Sequence, residues 1–395
     1  MRQAIVIGCH VCGLGAIRSL ALREFRIVAL YYDAVGDFAQ SSRHVAERAQ
    51  VPHPREHEQP FIDVLLRNAG RWSGAMILAT NDDALIAISK HKAALAQDYV
   101  VPTPHWEVLR PFIGKPHMYR LAQECRVPHP NTFSATTTGE LEQVRDQLAF
   151  PCLLKPVLGH LFFSQFHRKN LQAGSFDELL RQWEMCRRAG HPVLVQEIIP
   201  GPDTNLFQYD TYIDSSGATR AASWKRKLRQ NPPGFGVARV AISSGEVPVM
   251  QEWTERMLNA VGFRGIAHSE FKQDARDGTF KLIEVNGRLS RSNWLTAYCG
   301  VNLPWIAYQD LAEKRPIEAM TRENGAYWIE LSEDIANTVA HHRDESLSLA
   351  DYARPYLATR KTFADVSRSD WKPLAKRFSN VLRSALHRVR TRGDP

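Results

Sequence analysis

No stretch of this 395-residue chain approaches the run of about 20 apolar residues that crosses a bilayer, so the sequence predicts no transmembrane helix. The N-terminus carries the strand-like Ala4-Ile-Val-Ile-Gly8 in place of a leader peptide, and the expected compartment is the cytoplasm. Cysteine is scarce. The six residues Cys9, Cys12, Cys125, Cys152, Cys186 and Cys299 show no disulfide-framework spacing, which fits a reducing environment. Cys9-His-Val-Cys12 is formally a CxxC, but no second CxxC exists to complete a zinc site, and the pair reads as ordinary residues after the first strand. A redox pair is the alternative. The glycine fingerprints of nucleotide-binding loops are missing: Gly8, Gly13 and Gly15 form GxxxxGxG, which matches neither the dinucleotide motif nor the Walker A loop. A tight strand-to-helix turn is the expected role. Scattered histidines form no Ser-His-Asp or Cys-His set, and internal repeats and low-complexity segments are absent.

Net charge is +8, but its distribution removes most of its meaning. From Trp371 to Pro395 there are seven Lys/Arg against one Asp, a net of +6 that leaves only +2 for everything before it. The body is nearly neutral, so no nucleic-acid partner is expected. In that basic tail Leu374, Phe378, Val381, Leu382, Ala385, Leu386 and Val389 recur at helical spacing opposite Lys376, Arg377, Arg383, Arg388 and Arg390. Such a helix either docks on the protein's own core with its charges in water or lies on an anionic membrane surface as a peripheral contact.

With 395 residues and 44% hydrophobic content the chain can build two or three domains with substantial cores. Residues 1–110 alternate strand-like and helix-like segments, the pattern of a parallel α/β sheet. Pro102, Pro104, Pro111 and Pro116 predict a boundary near residue 110. Beyond it the sequence predicts a strand Phe150-Pro-Cys-Leu-Leu-Lys155, a helix around 176–188, and a strand Val193-Leu-Val-Gln-Glu197 running into Ile-Ile-Pro-Gly-Pro-Asp203. Strands then recur over 207–213 and 221–227, followed by a helix over 250–261.

The most informative segment runs from Glu270 to Asn286, where two strand-like runs flank the turn Ala275-Arg-Asp-Gly278. Paired symmetrically about Asp277, the strands set Glu270 across from Glu284, with Asn286 on the same face. Facing carboxylates destabilise a hairpin unless a cation neutralises them, and an all-oxygen set points to magnesium or manganese. Surface acids on a solvent-facing hairpin are the bland alternative. Arg288 follows in register as a fixed cation for phosphate or carboxylate.

Lys115, Lys155, Gln196-Glu-Ile-Ile-Pro-Gly201 with Asp203, and Glu270 with Glu284-Val-Asn286 stand in an order that resembles the ATP-grasp superfamily over about residues 1–315. Thr80-Asn-Asp-Asp83, Gly114-Lys-Pro-His-Met-Tyr119, Gly-Ile-Ala-His-Ser-Glu-Phe-Lys272 and Gly300-Val-Asn-Leu-Pro304 are most similar to its carboxylate-amine ligase branch, related to D-aspartate ligase. The resemblance implies a Rossmann-like pre-ATP-grasp domain over 1–110, an ATP-grasp domain over 111–315 divided at 195/196, and a helical basic extension over 316–395. The implied fold class is thus α/β and α+β. Lys115 and Lys155 would contact ATP phosphates, Gln196, Glu197 and the backbone near Ile199 the adenine, and Asp203 the ribose. Glu270, Glu284 and Asn286 would hold magnesium, with Arg288 and behind it Arg239 as catalytic cations. Lys169, Arg226, Lys227 and Arg229 are equally divided between substrate contacts and solvated surface.

The implied activity is ATP-dependent ligation of a small-molecule carboxylate to an amine through an acyl phosphate, by a chain that is free to form homo-oligomers. Two rivals stand beside it: a nicotinamide oxidoreductase using the N-terminal unit, and an ATP-binding regulatory or scaffold protein. Three departures from the family pattern bear on the site. Gly114 precedes Lys115 where an acid is common, Gly287 follows Asn286 where proline is frequent, and His268 stands where ligases that join D-alanine carry an arginine.

Overall fold

The computed structural model describes residues 1–33, 36–157, 162, 165–317, 322–341 and 347–380. The first sheet is parallel throughout, in the order β3-β2-β1-β4, from β1 (Gln3–Ile7), β2 (Arg26–Tyr31), β3 (Val45–Gln50) and β4 (Met76–Ala79). The continuous apolar runs of β1, β2 and β4 are buried on both faces, as central parallel strands require. β3 alternates half-buried and exposed residues at the sheet's edge, and its polar Val-Ala-Glu-Arg-Ala-Gln gave little strand signal.

The glycine turn after β1 is a packing device. Gly8 takes φ +85°, and a Cβ on Gly13 would lie 2.2 Å from the Gly8 carbonyl oxygen. Asp37 fills the turn from below: its Oδ1 accepts the Cys9 amide at 2.5 Å and its Oδ2 the Tyr32 and Asp33 amides. A backbone amide that a dinucleotide phosphate would use is already taken by the chain's own carboxylate. Both CxxC cysteines are buried, with the Cys12 thiol against the Ser290 carbonyl, and burial pushes that thiol up to about 11.

The second sheet is antiparallel, in the order β5-β8-β6-β7, from β5 (Thr132–Ser134), β6 (Cys152–Pro156), β7 (Leu171–Ala173) and β8 (Val193–Glu197). Helix Phe176–Arg188, capped by Ser175, covers it with Leu179, Trp183 and Cys186. These side chains join Leu154 and Val195 in a core of their own, whereas the two larger cores each mix residues of the first and third sheets. Gln196 and Glu197 still pair with Leu153 and Cys152, so the expected division at 195/196 falls inside β8 and the chain leaves the small sheet after Glu197. The expected boundary near 110 likewise falls inside helix Trp106–Ile113, whose Leu109 and Phe112 are buried.

The third sheet has seven strands in the order β13-β12-β9-β10-β11-β14-β15. They are β9 (Leu206–Ile213), β10 (Thr219–Asn231), β11 (Val237–Ser243), β12 (Gly265–Gln273), β13 (Phe280–Asn286), β14 (Tyr327–Ile329) and β15 (Lys361–Phe363). β14 and β15 lie within the segment expected to be a separate extension. They complete the sheet instead: β14 pairs antiparallel with β11, and β15 runs parallel to β14. Trp328 and Ile329 are fully buried there, which gives the segment its place in the core. Helix Leu331–His341 packs behind through Asp334, whose carboxylate takes Arg229 at 2.7 Å and Arg239 at 2.6 Å.

Residues 372–380 are helical, within the expected basic C-terminal helix, and Arg377 ties them down through Glu330 at 2.9 Å and Glu333 at 2.7 Å. The remainder of that helix expectation, with Val381, Leu382, Arg383, Ala385, Leu386, Arg388, Val389 and Arg390, lies outside the described residues. Among the described residues no helix is long and apolar enough to cross a membrane.

Candidate functional site

A cavity of about 640 Å³ opens between the small antiparallel sheet and the seven-stranded sheet, with helix Lys115–Glu124 at one end. Its large-sheet wall carries the hairpin β12–β13. Glu270 pairs with Glu284 and His268 with Asn286, so the facing carboxylates expected from sequence are present. The route to that register was not foreseen. From Gln273 to Phe271 the strands pair one position out of phase with it, and a β-bulge before Glu284 restores the facing pair. Ile283 and Glu284 both line the cavity, while Leu282 and Val285 are buried. Tyr119 Oη donates to the bulged Ile283 carbonyl at 3.0 Å, and Leu282 N donates to the Pro128 carbonyl at 2.8 Å. The outer edge of β13 is covered by protein.

One ring nitrogen of His268 and one carboxylate oxygen each of Glu270 and Glu284 lie within 4.8 Å of one another. Lys227 Nζ stands 2.7 Å from the Glu270 carboxylate, Gln208 Nε2 donates to it at 3.3 Å, and Asn286 Nδ2 donates to Glu284 at 3.1 Å. Burial works to raise the Glu284 carboxyl, but His268, Lys227, Arg288 and Lys155 outweigh it and hold it below the usual value. The two carboxylates at this spacing fit a hard divalent cation, and the Asn286 amide lies beside them.

Lys115, Lys155 and Lys169 face the same space. Lys155 alternates out of the small core, in which Cys152 and Leu154 are buried, and its Nζ donates to Gln196 Oε1 at 3.1 Å. Burial lowers both ammonium groups; Lys155 adds to the effect on Lys115, and Glu284 opposes it in each. Clustered, partly desolvated cations of this kind suit a polyanionic ligand.

Arg288 lines the cavity but is held bidentate by Asp82, Nε to Oδ1 at 2.6 Å and Nη2 to Oδ2 at 3.3 Å. Burial alone would lower the guanidinium; Asp82 reverses this and raises it. Asp82 begins the helix Asp82–Lys90, so the first sheet's domain reaches the site.

The opposite end is apolar, with Leu153, Ile198, Ile199 and Leu206, and takes its polar groups from Gln196 and Glu197. The Glu197 carboxylate is already engaged by the Asn131 amide at 3.1 Å, by Lys281 at 3.2 Å and by Arg276. The Glu197 amide is taken as well, by the Asn131 carbonyl at 2.9 Å. Asp203 is not among the cavity-lining residues; its Oδ1 accepts from Gln230 at 2.7 Å and from the Gly234 amide at 3.0 Å, both of which line it.

Arg239 departs from its expected catalytic place. It is fully buried, donates to the Gln230 carbonyl, Asp334 and Thr338, and does not line the cavity. Its position on β11 directs it toward helix Leu331–His341, as the alternation of that unrecognised strand dictates. Arg229 lies in the same cluster. Arg226 packs over Phe207 and donates to the Thr204 carbonyl, whereas Lys169 and Lys227 do face the cavity. Sequence reasoning missed Arg291 and Gln208. Arg291 lines the cavity with Glu330 as bidentate partner at 2.9 and 2.7 Å, and its signal was the repeat Arg288-Leu-Ser-Arg291 immediately after the ligand strand.

No family model matches the chain. Over 285 residues it is 27% identical to D-aspartate ligase of Enterococcus faecium (strain Aus0004), a match that covers 66% of this chain and 65% of that protein. The chain thus spans just under two thirds of that relative's length. L-amino acid ligase from Bacillus licheniformis superposes with a TM-score of 0.59 at 19% identity, over 79% of this chain and 74% of that one. The biotin carboxylase domain of Hydrogenobacter thermophilus 2-oxoglutarate carboxylase, solved with MgADP, ADP and bicarbonate, gives 0.62 at 15% identity over 82% and 73%. The shared architecture is the ATP-grasp fold, as the order of the sequence motifs led one to expect.

Proposed function

We propose that this chain is an ATP- and magnesium-dependent ligase that joins a small-molecule carboxylate to an amine through an acyl phosphate. The observation that carries this reading is a single cavity that sets Lys115 and Lys155 opposite the facing pair Glu270 and Glu284. The 27% identity to D-aspartate ligase supports it independently. In this reading Lys115 and Lys155 bind the triphosphate as point charges, and Gln196 with the backbone through Ile199 receives the adenine. Asp203 takes the ribose side from beside Gln230 and Gly234. Glu270, Glu284 and Asn286 hold the cation. When bound, that ion screens the triphosphate and so lets an anionic carboxylate approach.

The substrate carboxylate attacks the γ-phosphorus and ADP leaves. An amine then attacks the acyl carbon, and phosphate departs. In this reading Arg288 and Arg291, which line the cavity, stabilise the negative charge that develops on the acyl phosphate and on the tetrahedral oxygen. Neither step requires a side-chain nucleophile.

Hydroxylamine in place of the amine reduces the test to one unknown. With ATP, magnesium and a panel of D- and L-amino acids and other small carboxylates, one acid should give ADP and its hydroxamate together. ATP binding measured by calorimetry, with no hydroxamate from any acid and no ADP above background, would instead support a protein that binds nucleotide without ligating.

A further inference from the structure

The geometry points to His268 as a ligand of the divalent ion, placed in that role by Asp210. This rests on the reading that the cavity holds a metal-nucleotide complex, and it adds a nitrogen to a set expected to be all oxygen. His268 and Glu270 are two residues apart on β12 and share a face, and they pair across the hairpin with Asn286 and Glu284. Four ligand-type side chains therefore form a two-by-two block. The ring nitrogen of His268 is within 4.8 Å of an oxygen of each carboxylate.

Asp210 fixes the ring. Its Oδ1 lies 2.7 Å from His268 Nδ1, while Lys225, Ser290 and Thr296 all donate to its Oδ2. Asp210 is fully buried. A carboxylate this well anchored fixes the ring through Nδ1 and turns its Nε2 edge outward, the arrangement by which an outer carboxylate orients a metal-binding histidine. Nδ1 is engaged by Asp210, and Nε2 has no hydrogen-bond partner among the described residues while His268 lines the cavity. With Nδ1 taken, Nε2 is the ring nitrogen left for a cation held by Glu270 and Glu284. A nitrogen ligand favours manganese over magnesium relative to an all-oxygen site.

The test uses the full-length protein grown with ¹⁵N-histidine and loaded with Mn²⁺ and ADP, read by pulsed electron paramagnetic resonance. The nucleotide remains ¹⁴N, so a ¹⁵N hyperfine coupling can come only from histidine. We expect the coupling in the unaltered protein and its loss in His268→Gln, together with a rise of about tenfold or more in the Mn²⁺ dissociation constant. If His268→Gln fails to fold, His268→Asn takes its place with the same expected loss, since His268 is the one histidine among the described residues that line the cavity. Mn²⁺ bound with ADP but without ¹⁵N coupling overturns the assignment and leaves the metal-nucleotide reading intact. Failure to bind Mn²⁺ with ADP at all overturns both.

Discussion

Lys155 and Glu284 show how single positions divide folding from chemistry. On β6 the side chains of Cys152 and Leu154 fill the small core while that of Lys155 turns into the cavity, so its charge adds little to packing. Lys155→Ala should weaken ATP by roughly 10- to 100-fold, the loss of one charged hydrogen bond of about 1.5–3 kcal/mol, with little change in melting temperature. Calorimetry alongside a thermal melt checks it, and unchanged ATP affinity in a normally folded variant would remove Lys155 from the phosphate site. Glu284 faces the cavity, where the surrounding cations hold its carboxyl below the usual value. Glu284→Ala should lower turnover by roughly 10²-fold, the scale of removing a transition-state charge stabiliser. Full magnesium-dependent activity in that variant would end its assignment as a cation ligand.

At the scale of elements, Arg239 marks the limit of reading charge without register. The sequence places an arginine near the site; β11 turns it into a buried cluster with Arg229 and Asp334 that holds helix Leu331–His341. Arg239→Ala should therefore destabilise the fold, by about 3–5 kcal/mol for a broken buried pair, while ATP affinity of the folded protein stays close to that of the parent. Denaturant unfolding combined with a nucleotide titration separates the two, and a stable variant that no longer binds ATP would reverse the conclusion. The hairpin was legible from two strand-like runs about a clear turn, although the Glu270–Glu284 pair itself is reached through a bulge. Its bulge was not, since it depends on Tyr119 Oη reaching the Ile283 carbonyl from a helix 164 positions away in sequence. The role of His268 was hidden for the same reason: its orientation comes from Asp210 on the neighbouring strand. Glu197 read as a free acceptor only because Arg276 and Lys281, which engage it, arrive from the hairpin.

For the molecule as a whole, the two larger cores merge the first and third sheets, and the C-terminal segment belongs to that body. Asp370 bonds Ser42 Oγ and the Arg43 amide of the first domain, both at 2.9 Å, and Arg377 closes on Glu330 and Glu333. Truncation after Asp370 should lower the melting temperature by several degrees, since it leaves buried Glu330 with Arg291 alone among these partners. Sedimentation with anionic vesicles at low salt addresses the other reading of the basic tail. If the full-length chain and the truncation bind equally, membrane attachment through that tail is excluded.

The late arrival of β14 has a consequence for synthesis on the ribosome. Eighty-six residues separate Ser243, the end of β11, from Ile329, the end of β14. At about 5–20 residues per second, β11 emerges roughly 4–17 s before the strand that will cover its flank. During that interval a nascent chain already able to close the β12–β13 hairpin still offers β11 as an open template to other chains. The yield of this protein should therefore respond to the speed of translation between codons 244 and 329 more than to its speed elsewhere.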